Sequence, residues 1–226
     1  MSSSIFLFNS YLLKSEVRMQ YIYPFIISFI FIFISELGDK TQILVLSFSA
    51  KSRTLSILLG VALGTFLSHG LAITFGSHIG TIDNTNFIFY LKLFTYCTFL
   101  IFGIIGFITM KKSTSVEKNT EMDSKSHIIK FLSNLTKNCV LLVALSIAIG
   151  ELGDKTFLAS IGLGIEHPNY KFPLICGSIC GMLASDSIAI FFGKWLGSKF
   201  STNTIEILSN SIFLLFGIIG ILSIII

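Results

Sequence analysis

Long apolar stretches alternate with short polar ones along most of the chain. Six of them approach or exceed the roughly 20 residues that a helix needs to cross the hydrocarbon core of a bilayer. They lie at about 22–50, 55–79, 87–110, 139–164, 172–195 and 205–226. The strict alternation of apolar and polar residues that marks membrane barrel strands is missing. The pattern therefore predicts an all-α integral membrane protein with six transmembrane helices.

The two halves of this pattern, residues 22–110 and 139–226, resemble each other. Seven residues of the second stretch recur in the fifth at a constant offset of 117: Gly60, Gly64, Ser68, Ala72, Ile73, Gly76 and Gly80 match Gly177, Gly181, Ser185, Ala189, Ile190, Gly193 and Gly197. The third and sixth stretches share Phe-Gly-Ile-Ile-Gly. Because each half has an odd number of spans, the second half enters the membrane from the opposite side. We therefore predict two inverted-topology three-helix repeats.

The polar segments set the predicted orientation. Lys and Arg number ten on one side of the predicted helices and four on the other, and the positive side is normally cytoplasmic. The hydrophilic linker 111–138 lies on the positive side, so we expect both termini to be non-cytoplasmic. The N-terminal segment 1–21 has no signal-peptide pattern, and Met19 is a candidate for the true start. These features favour a bacterial plasma membrane.

Composition agrees with a lipid-embedded chain, since 53% of the 226 residues are hydrophobic and only 12% are charged. The net charge of +4 is spread over the loops and gives no indication of nucleic-acid binding. The expected partners are therefore the lipid bilayer and small ions. The oligomeric state is left open by the sequence.

One six-residue string, Glu-Leu-Gly-Asp-Lys-Thr, occurs in the first apolar stretch at 36–41 and again in the fourth at 151–156. An ionised side chain at mid-bilayer costs on the order of 3 kcal/mol, so three charges in each motif indicate a functional site. Residues three and four apart share a helix face. We expect each motif to line one face of its helix: Glu36, Asp39 and Lys40 in the first copy, and Glu151, Asp154 and Lys155 in the second.

Brought together, the two motifs place four carboxylates against two ammonium groups. A divalent cation would neutralise the excess charge, and oxygen ligands suit Ca²⁺ or Mn²⁺. The candidate metal ligands are the carboxylates of Glu36, Asp39, Glu151 and Asp154, and the hydroxyl groups of Thr41 and Thr156 are candidate polar partners. Gly38 and Gly153 permit either a close helix approach or a local break. Carboxylates crowded in a low dielectric also hold protons readily, so protons and a cation would compete for one site.

Further polar residues lie in or near the same apolar stretches. Asp186 follows Ser185 where His69 follows Ser68 at the equivalent repeat position. Asp186 is the stronger candidate for an extra ligand or proton carrier, against a helix-packing hydrogen bond. For His69 an interhelical hydrogen bond is favoured over titration during transport. Gln42, directly after the first motif, is a further candidate polar partner.

The duplicated motif resembles the signature E-x-G-D-[KR]-[TS] of uncharacterised protein family 0016, which includes transmembrane protein 165 and bacterial manganese exporters. The resemblance covers about 21–226. It implies a cation/proton antiporter that moves Mn²⁺ or Ca²⁺ out of the cytosol. The residues matched to the family's cation site are Glu36, Asp39, Glu151 and Asp154, and those that complete it are Lys40, Thr41, Lys155 and Thr156. The central linker departs from many relatives, because it is basic and carries six Lys.

Two other classes of function would use parts of the same pattern. A passive divalent-cation channel would use similar acidic residues but would need no inverted repeat. An intramembrane aspartyl hydrolase is suggested by the Gly-Asp pair in each half, but Glu36 and Glu151 stand where its Gly-x-Gly-Asp pattern has glycine. We therefore predict a transporter, with no enzymatic activity and no cofactor, whose substrate is Mn²⁺ or Ca²⁺.

Overall fold

A computed structural model describes residues 2–37, 42, 45, 48, 52–112, 136, 138–199 and 202–225. Its elements in chain order are α1 (Ser2–Glu36), α2 (Thr54–Gly80), α3 (Thr85–Lys112), α4 (Cys139–Glu151), α5 (Lys155–Glu166), a short 3-10 helix (Pro168–Tyr170), α6 (Lys171–Lys199) and α7 (Thr202–Ile225). The described residues are helical apart from short connecting segments, which confirms the all-α prediction.

Five helices of the described part are long and apolar enough to cross a membrane. These spans are Met19–Glu36, Thr54–Gly80, Thr85–Met110, Pro168–Phe191 and Ile207–Ile225. Their length and apolar composition agree with an integral membrane protein. The predicted arrangement of six spans in inverted repeats differs at one place, because the fourth apolar stretch is not a single helix.

The predicted helix over 139–164 is broken into α4 and α5. Leu152 and Asp154 have extended backbone, with ψ of 118° and 166°, and Gly153 between them has φ of +82°. That left-handed conformation favours glycine, which has no Cβ to clash. A Cβ added at Gly153 would meet nothing within 4 Å. Gly153 therefore provides the local break, which is one of the two roles that the sequence allowed it, and not a close helix approach. The fourth apolar stretch is two consecutive helices.

The helices of the two halves pack on each other in a reciprocal pattern. Helix α1 packs on α6, α2 packs on α4, α5 and α6, and α3 packs on α7. In this pattern α1 corresponds to α4 and α5 together, α2 corresponds to α6, and α3 corresponds to α7. Replacing each helix by its counterpart gives the same set of packing pairs. The same exchange relates individual residues at the helix crossings.

Glycines at the crossings show this reciprocity atom by atom. A Cβ added at Gly60 would lie 2.8 Å from the carbonyl oxygen of Val140, and one added at Gly64 would lie 2.7 Å from that of Ala144. The matching residues in the other half make the same contacts: Gly177 meets the carbonyl oxygen of Phe25, and Gly181 that of Phe29. Backbones this close require small residues, which explains the duplicated glycines.

The third helices of the halves are related in the same way. The added Cβ of Gly103 would lie 2.6 Å from Leu214 on α7, and that of Gly217 would lie 2.6 Å from Leu100 on α3. Beside this crossing, the buried rings of Phe31, Phe99 and Phe213 lie 5.1 to 6.1 Å apart. This aromatic cluster joins α1, which carries the first motif, to the third helix of each half, α3 and α7.

Candidate metal centre

Three buried side chains from three helices meet inside the bundle. They are Glu36 at the end of α1, His69 in the middle of α2 and Glu151 at the end of α4, and they are 1%, 0% and 0% exposed. One ligand atom from each lies within 4.8 Å of the others. Two carboxylate oxygens and one imidazole nitrogen at this spacing could hold a divalent cation. Each half of the chain contributes one glutamate.

The helix ends add to this electrostatic field. Helix α1 ends at Glu36 and α4 ends at Glu151, so the last carbonyl groups of both helices lack partners within their own helix. The carbonyl end of a helix carries partial negative charge. Both helices therefore direct negative charge towards the region where the two glutamates meet, which favours a cation there.

His69 is held on one side of its ring and faces the glutamates on the other. Its Nδ1 lies 2.7 Å from the Oγ atom of Ser160 on α5. Its Nε2 lies 3.9 Å from the Oε2 atom of Glu151 and has no hydrogen-bond partner among the described residues. The interhelical hydrogen bond that the sequence favoured is thus present. The structure adds the position of the ring beside Glu151.

Thr156 supports the second glutamate from across the break. Its Oγ1 donates a hydrogen bond of 3.3 Å to Oε2 of Glu151, and both side chains are fully buried. Because Thr156 lies in the first turn of α5, this bond links the two sides of the break.

Asp154 and Lys155 are separated from Glu151 by the break. Asp154 is half-buried at the start of α5, and Nζ of Lys155 lies 3.3 Å from Oγ of Ser209 and 5.5 Å from the ring centroid of Phe213 on α7. The expectation that Glu151, Asp154 and Lys155 share one helix face is therefore wrong, since the helix ends between them. The three clustered ligand residues do not include Asp154.

Part of the first motif, Gly38, Asp39, Lys40 and Thr41, lies outside the described residues. Gln42, which follows it, is buried, and its Nε2 donates hydrogen bonds of 2.6 Å to the hydroxyl and 3.2 Å to the carbonyl oxygen of Ser185. This pair attaches the chain beyond the first motif to α6.

The other predicted polar partners are also buried. The hydroxyl of Ser68 donates to the carbonyl oxygen of Gly64 at 3.1 Å, within its own helix. Asp186 is fully buried on α6, next to Ser185. Both residues lie on the two helices that pack against each other in the middle of the bundle.

One residue of the site was missed by sequence reasoning. Ser160 orients His69, yet in the sequence it is one small polar residue within an apolar stretch. Only the packing of α2 on α5 brings the two side chains together. Their sequence separation carries no signal of the contact.

An apolar bundle that buries two carboxylates next to an interrupted helix has features of a secondary ion transporter. A family model described as "Divalent cation/proton antiporter GDT1" matches residues 24–114 and 139–224, and the chain belongs to this family. It is a family of transporters and not of enzymes. The family that the sequence resembles is thereby confirmed.

Individual relatives have low sequence identity to this chain, but they align with most of its length. The chain is 26% identical to "GDT1-like protein 1, chloroplastic" of Oryza sativa subsp. japonica over 88% of its own length and 61% of the relative's. It is 26% identical to "GDT1-like protein sll0615" of Synechocystis over 83% of its length and 91% of that protein. A Vibrio cholerae protein named "Putative manganese exporter" is 22% identical over 80% of this chain and 82% of that one. The chain thus spans about 60% of the rice relatives' length. No solved structure was found to match.

Proposed function

We propose that this protein exports a divalent cation, Mn²⁺ or Ca²⁺, from the cytosol in exchange for protons at the centre formed by Glu36 and Glu151. One observation carries the proposal: the glutamates of the two motif copies are buried and meet across the bundle. The name of the Vibrio relative, "Putative manganese exporter", supports Mn²⁺ as one substrate.

The chemistry of two close, buried carboxylates explains the coupling. Both cannot remain ionised in a low dielectric without compensation, because burial and mutual repulsion each favour the neutral form. Protons or a divalent cation can supply that compensation, and each excludes the other. A transporter that releases one must therefore take up the other, which is the requirement for exchange.

We infer that α4 and α5 form one interrupted span, which gives six spans in two inverted repeats, 22–110 and 139–226. Along α2, Gly60 and Gly64 contact α4, whereas Gly76 and Gly80 contact α5. The two short helices therefore follow one another along a helix of spanning length. The reciprocal helix contacts support the repeats, which would let the site open alternately to each face.

The remaining motif residues have proposed supporting roles. Asp39 and Asp154 would complete the cation path, Thr41 and Thr156 would hold the glutamates, and Lys40 and Lys155 would balance charge. The linker 111–138 would be cytoplasmic, with both termini outside a bacterial plasma membrane. These assignments rest on the motif and on the distribution of Lys and Arg.

The test is uptake of Mn²⁺ and of Ca²⁺ into proteoliposomes, with and without an imposed pH gradient. We expect uptake that follows the gradient and is lost in Glu151→Gln. The matched control is Glu166→Gln, which changes a glutamate that is about one third exposed at the far end of α5 and should leave uptake intact. Cation flux that ignores the pH gradient would overturn exchange and favour a channel.

A further inference from the structure

We propose that His69 is a third ligand of the cation site and that its nitrogen makes the site select a transition-metal ion such as Mn²⁺ over Ca²⁺. The inference rests on the proposed function in that the site is the one formed by Glu36 and Glu151. It adds a ligand from α2, outside the duplicated motif, and narrows the class of ion.

The hydrogen bond to Ser160 fixes which nitrogen faces the site. With Nδ1 bonded to Ser160 at 2.7 Å, the ring turns Nε2 towards the carboxylates. This resembles the pattern in metalloproteins, where a ligating histidine donates its other N–H to a neighbouring oxygen atom. Ser160 is fully buried, so no water competes at its surface for the hydroxyl.

The Nε2 atom needs a partner in either tautomer. Carrying hydrogen, it would be a buried donor without an acceptor among the described residues, which is unfavourable because the lost bond to water is not replaced. Without hydrogen, its lone pair would face the Oε2 atom of Glu151 at 3.9 Å, and two electron-rich atoms repel. A cation between them removes the difficulty in the second tautomer, because it attracts both atoms.

The spacing also suits a shared cation better than a direct bond. At 3.9 Å, Nε2 and Oε2 are too far apart for a hydrogen bond, which needs about 2.7–3.2 Å. Two ligands that each lie about 2.0–2.6 Å from one ion are about 3–4.5 Å apart at ordinary coordination angles. The observed separation falls inside this range.

The donor set determines the preferred ion. Ca²⁺ takes oxygen ligands, whereas imidazole nitrogen suits transition metals. A site with two carboxylates and one imidazole should therefore prefer Mn²⁺ or Fe²⁺ to Ca²⁺. The equivalent position in the other half carries Asp186, so His69→Asp would place an oxygen ligand where the nitrogen now is.

Two substitutions separate a ligand role from a packing role. His69→Asn retains a polar group close to the Nδ1 position, which can still bond Ser160, but has no atom at the Nε2 position. His69→Asp exchanges nitrogen for oxygen. His78→Asn is the matched control, since His78 is an exposed histidine at the end of the same helix.

The experiment measures Mn²⁺ and Ca²⁺ dissociation constants of the purified full chain by calorimetry. Pulsed electron paramagnetic resonance of bound Mn²⁺ then detects a directly coordinated ¹⁴N nucleus. We expect ¹⁴N coupling in the native protein and in His78→Asn, and none in His69→Asn. Mn²⁺ affinity should fall about 10- to 100-fold in His69→Asn, with less effect on Ca²⁺. His69→Asp should move the affinity ratio towards Ca²⁺.

The outcomes separate this inference from the proposed function. Mn²⁺ bound to native protein without ¹⁴N coupling, or with coupling that survives His69→Asn, would overturn the ligand role of His69 even if transport is coupled to protons. A ¹⁴N signal that depends on His69 would support the inference. If cation flux were then independent of pH, only the proposed exchange with protons would be contradicted. Absence of Mn²⁺ binding to the native protein would overturn both.

Discussion

The two halves of the chain repeat one motif but surround it with different polar residues. In the first half Gln42 follows the motif and bonds Ser185, whereas the second half has Phe157 at the matching position. Ser160 bonds His69 in the second half, whereas its counterpart in the first is the buried Val45. In contrast, the backbone contacts of Gly60 and Gly64 are repeated in the other half by Gly177 and Gly181.

The contrast shows that the contacts that pack the helices are repeated in the two halves, whereas the polar contacts near the glutamates are not. Helix crossings depend on backbone approach and tolerate only small residues, so the same contact recurs in each half. Polar contacts can differ between halves because each is satisfied locally. The two glutamates therefore occupy equivalent positions in the two halves but have different neighbours. The hydrogen bonds Gln42–Ser185 and Ser160–His69 each have no counterpart at the equivalent position.

The largest expected effect tests whether both halves contribute to one site. Glu36→Gln and Glu151→Gln should each lower Mn²⁺ affinity about 100-fold or more, because each removes a charged ligand. Loss of a residue that only hydrogen-bonds a metal ligand already lowers metal affinity about 10- to 100-fold. Calorimetric titration of the purified variants measures this. Near-native affinity in either variant would show that one half binds the ion alone.

A smaller loss is expected in stability at the helix crossings. Gly60→Ala and Gly177→Ala each force a methyl group against the backbone of a motif helix, which should lower the free energy of unfolding by about 1–3 kcal/mol. Thermal denaturation in detergent compares them. Gly70→Ala is the control, because its new Cβ would make an ordinary contact of 3.5 Å with Phe66. Unequal losses at Gly60 and Gly177 would break the reciprocity.

An effect of similar size is expected for the hydrogen bond between Gln42 and Ser185, which has no counterpart at the equivalent position of the other half. Gln42→Leu should cost about 1–3 kcal/mol, because it leaves the buried hydroxyl of Ser185 without this partner. A double-mutant cycle with Ser185→Ala measures the coupling. Ser68→Ala, which removes only a bond within its own helix, should change stability less. Equal losses of stability in Ser185→Ala and Ser68→Ala would argue that these equivalent serines have the same role in both halves.

The smallest effect is expected outside the site. Glu166 lies 3.1 Å from Nζ of Lys92 and accepts a hydrogen bond of 2.5 Å from Tyr96, with side chains about one third exposed in the ion pair. Lys92→Met should therefore cost at most about 1 kcal/mol, as for other partly exposed pairs. Chemical denaturation of this variant checks the value, and a larger loss would assign a structural role to this end of the bundle.

Much of the scaffold could be predicted because lipid imposes a simple rule: spanning helices must be long and apolar. Glycines and motifs at fixed offsets indicated the repeat. The break at Gly153 was one of two alternatives, since a glycine in sequence does not reveal its φ angle. The contact between His69 and Ser160 could not be predicted, because it depends on the rotation of α2 against α5.

The central claim is that Glu36 and Glu151 hold either protons or a cation. The most direct measurement adds Mn²⁺ to the purified protein in weakly buffered detergent solution and follows proton release with an indicator dye. The account predicts release on binding in the native protein, and none in the double variant of Glu36→Gln and Glu151→Gln. Saturable Mn²⁺ binding to the native protein without proton release, across a series of starting pH values, would contradict it.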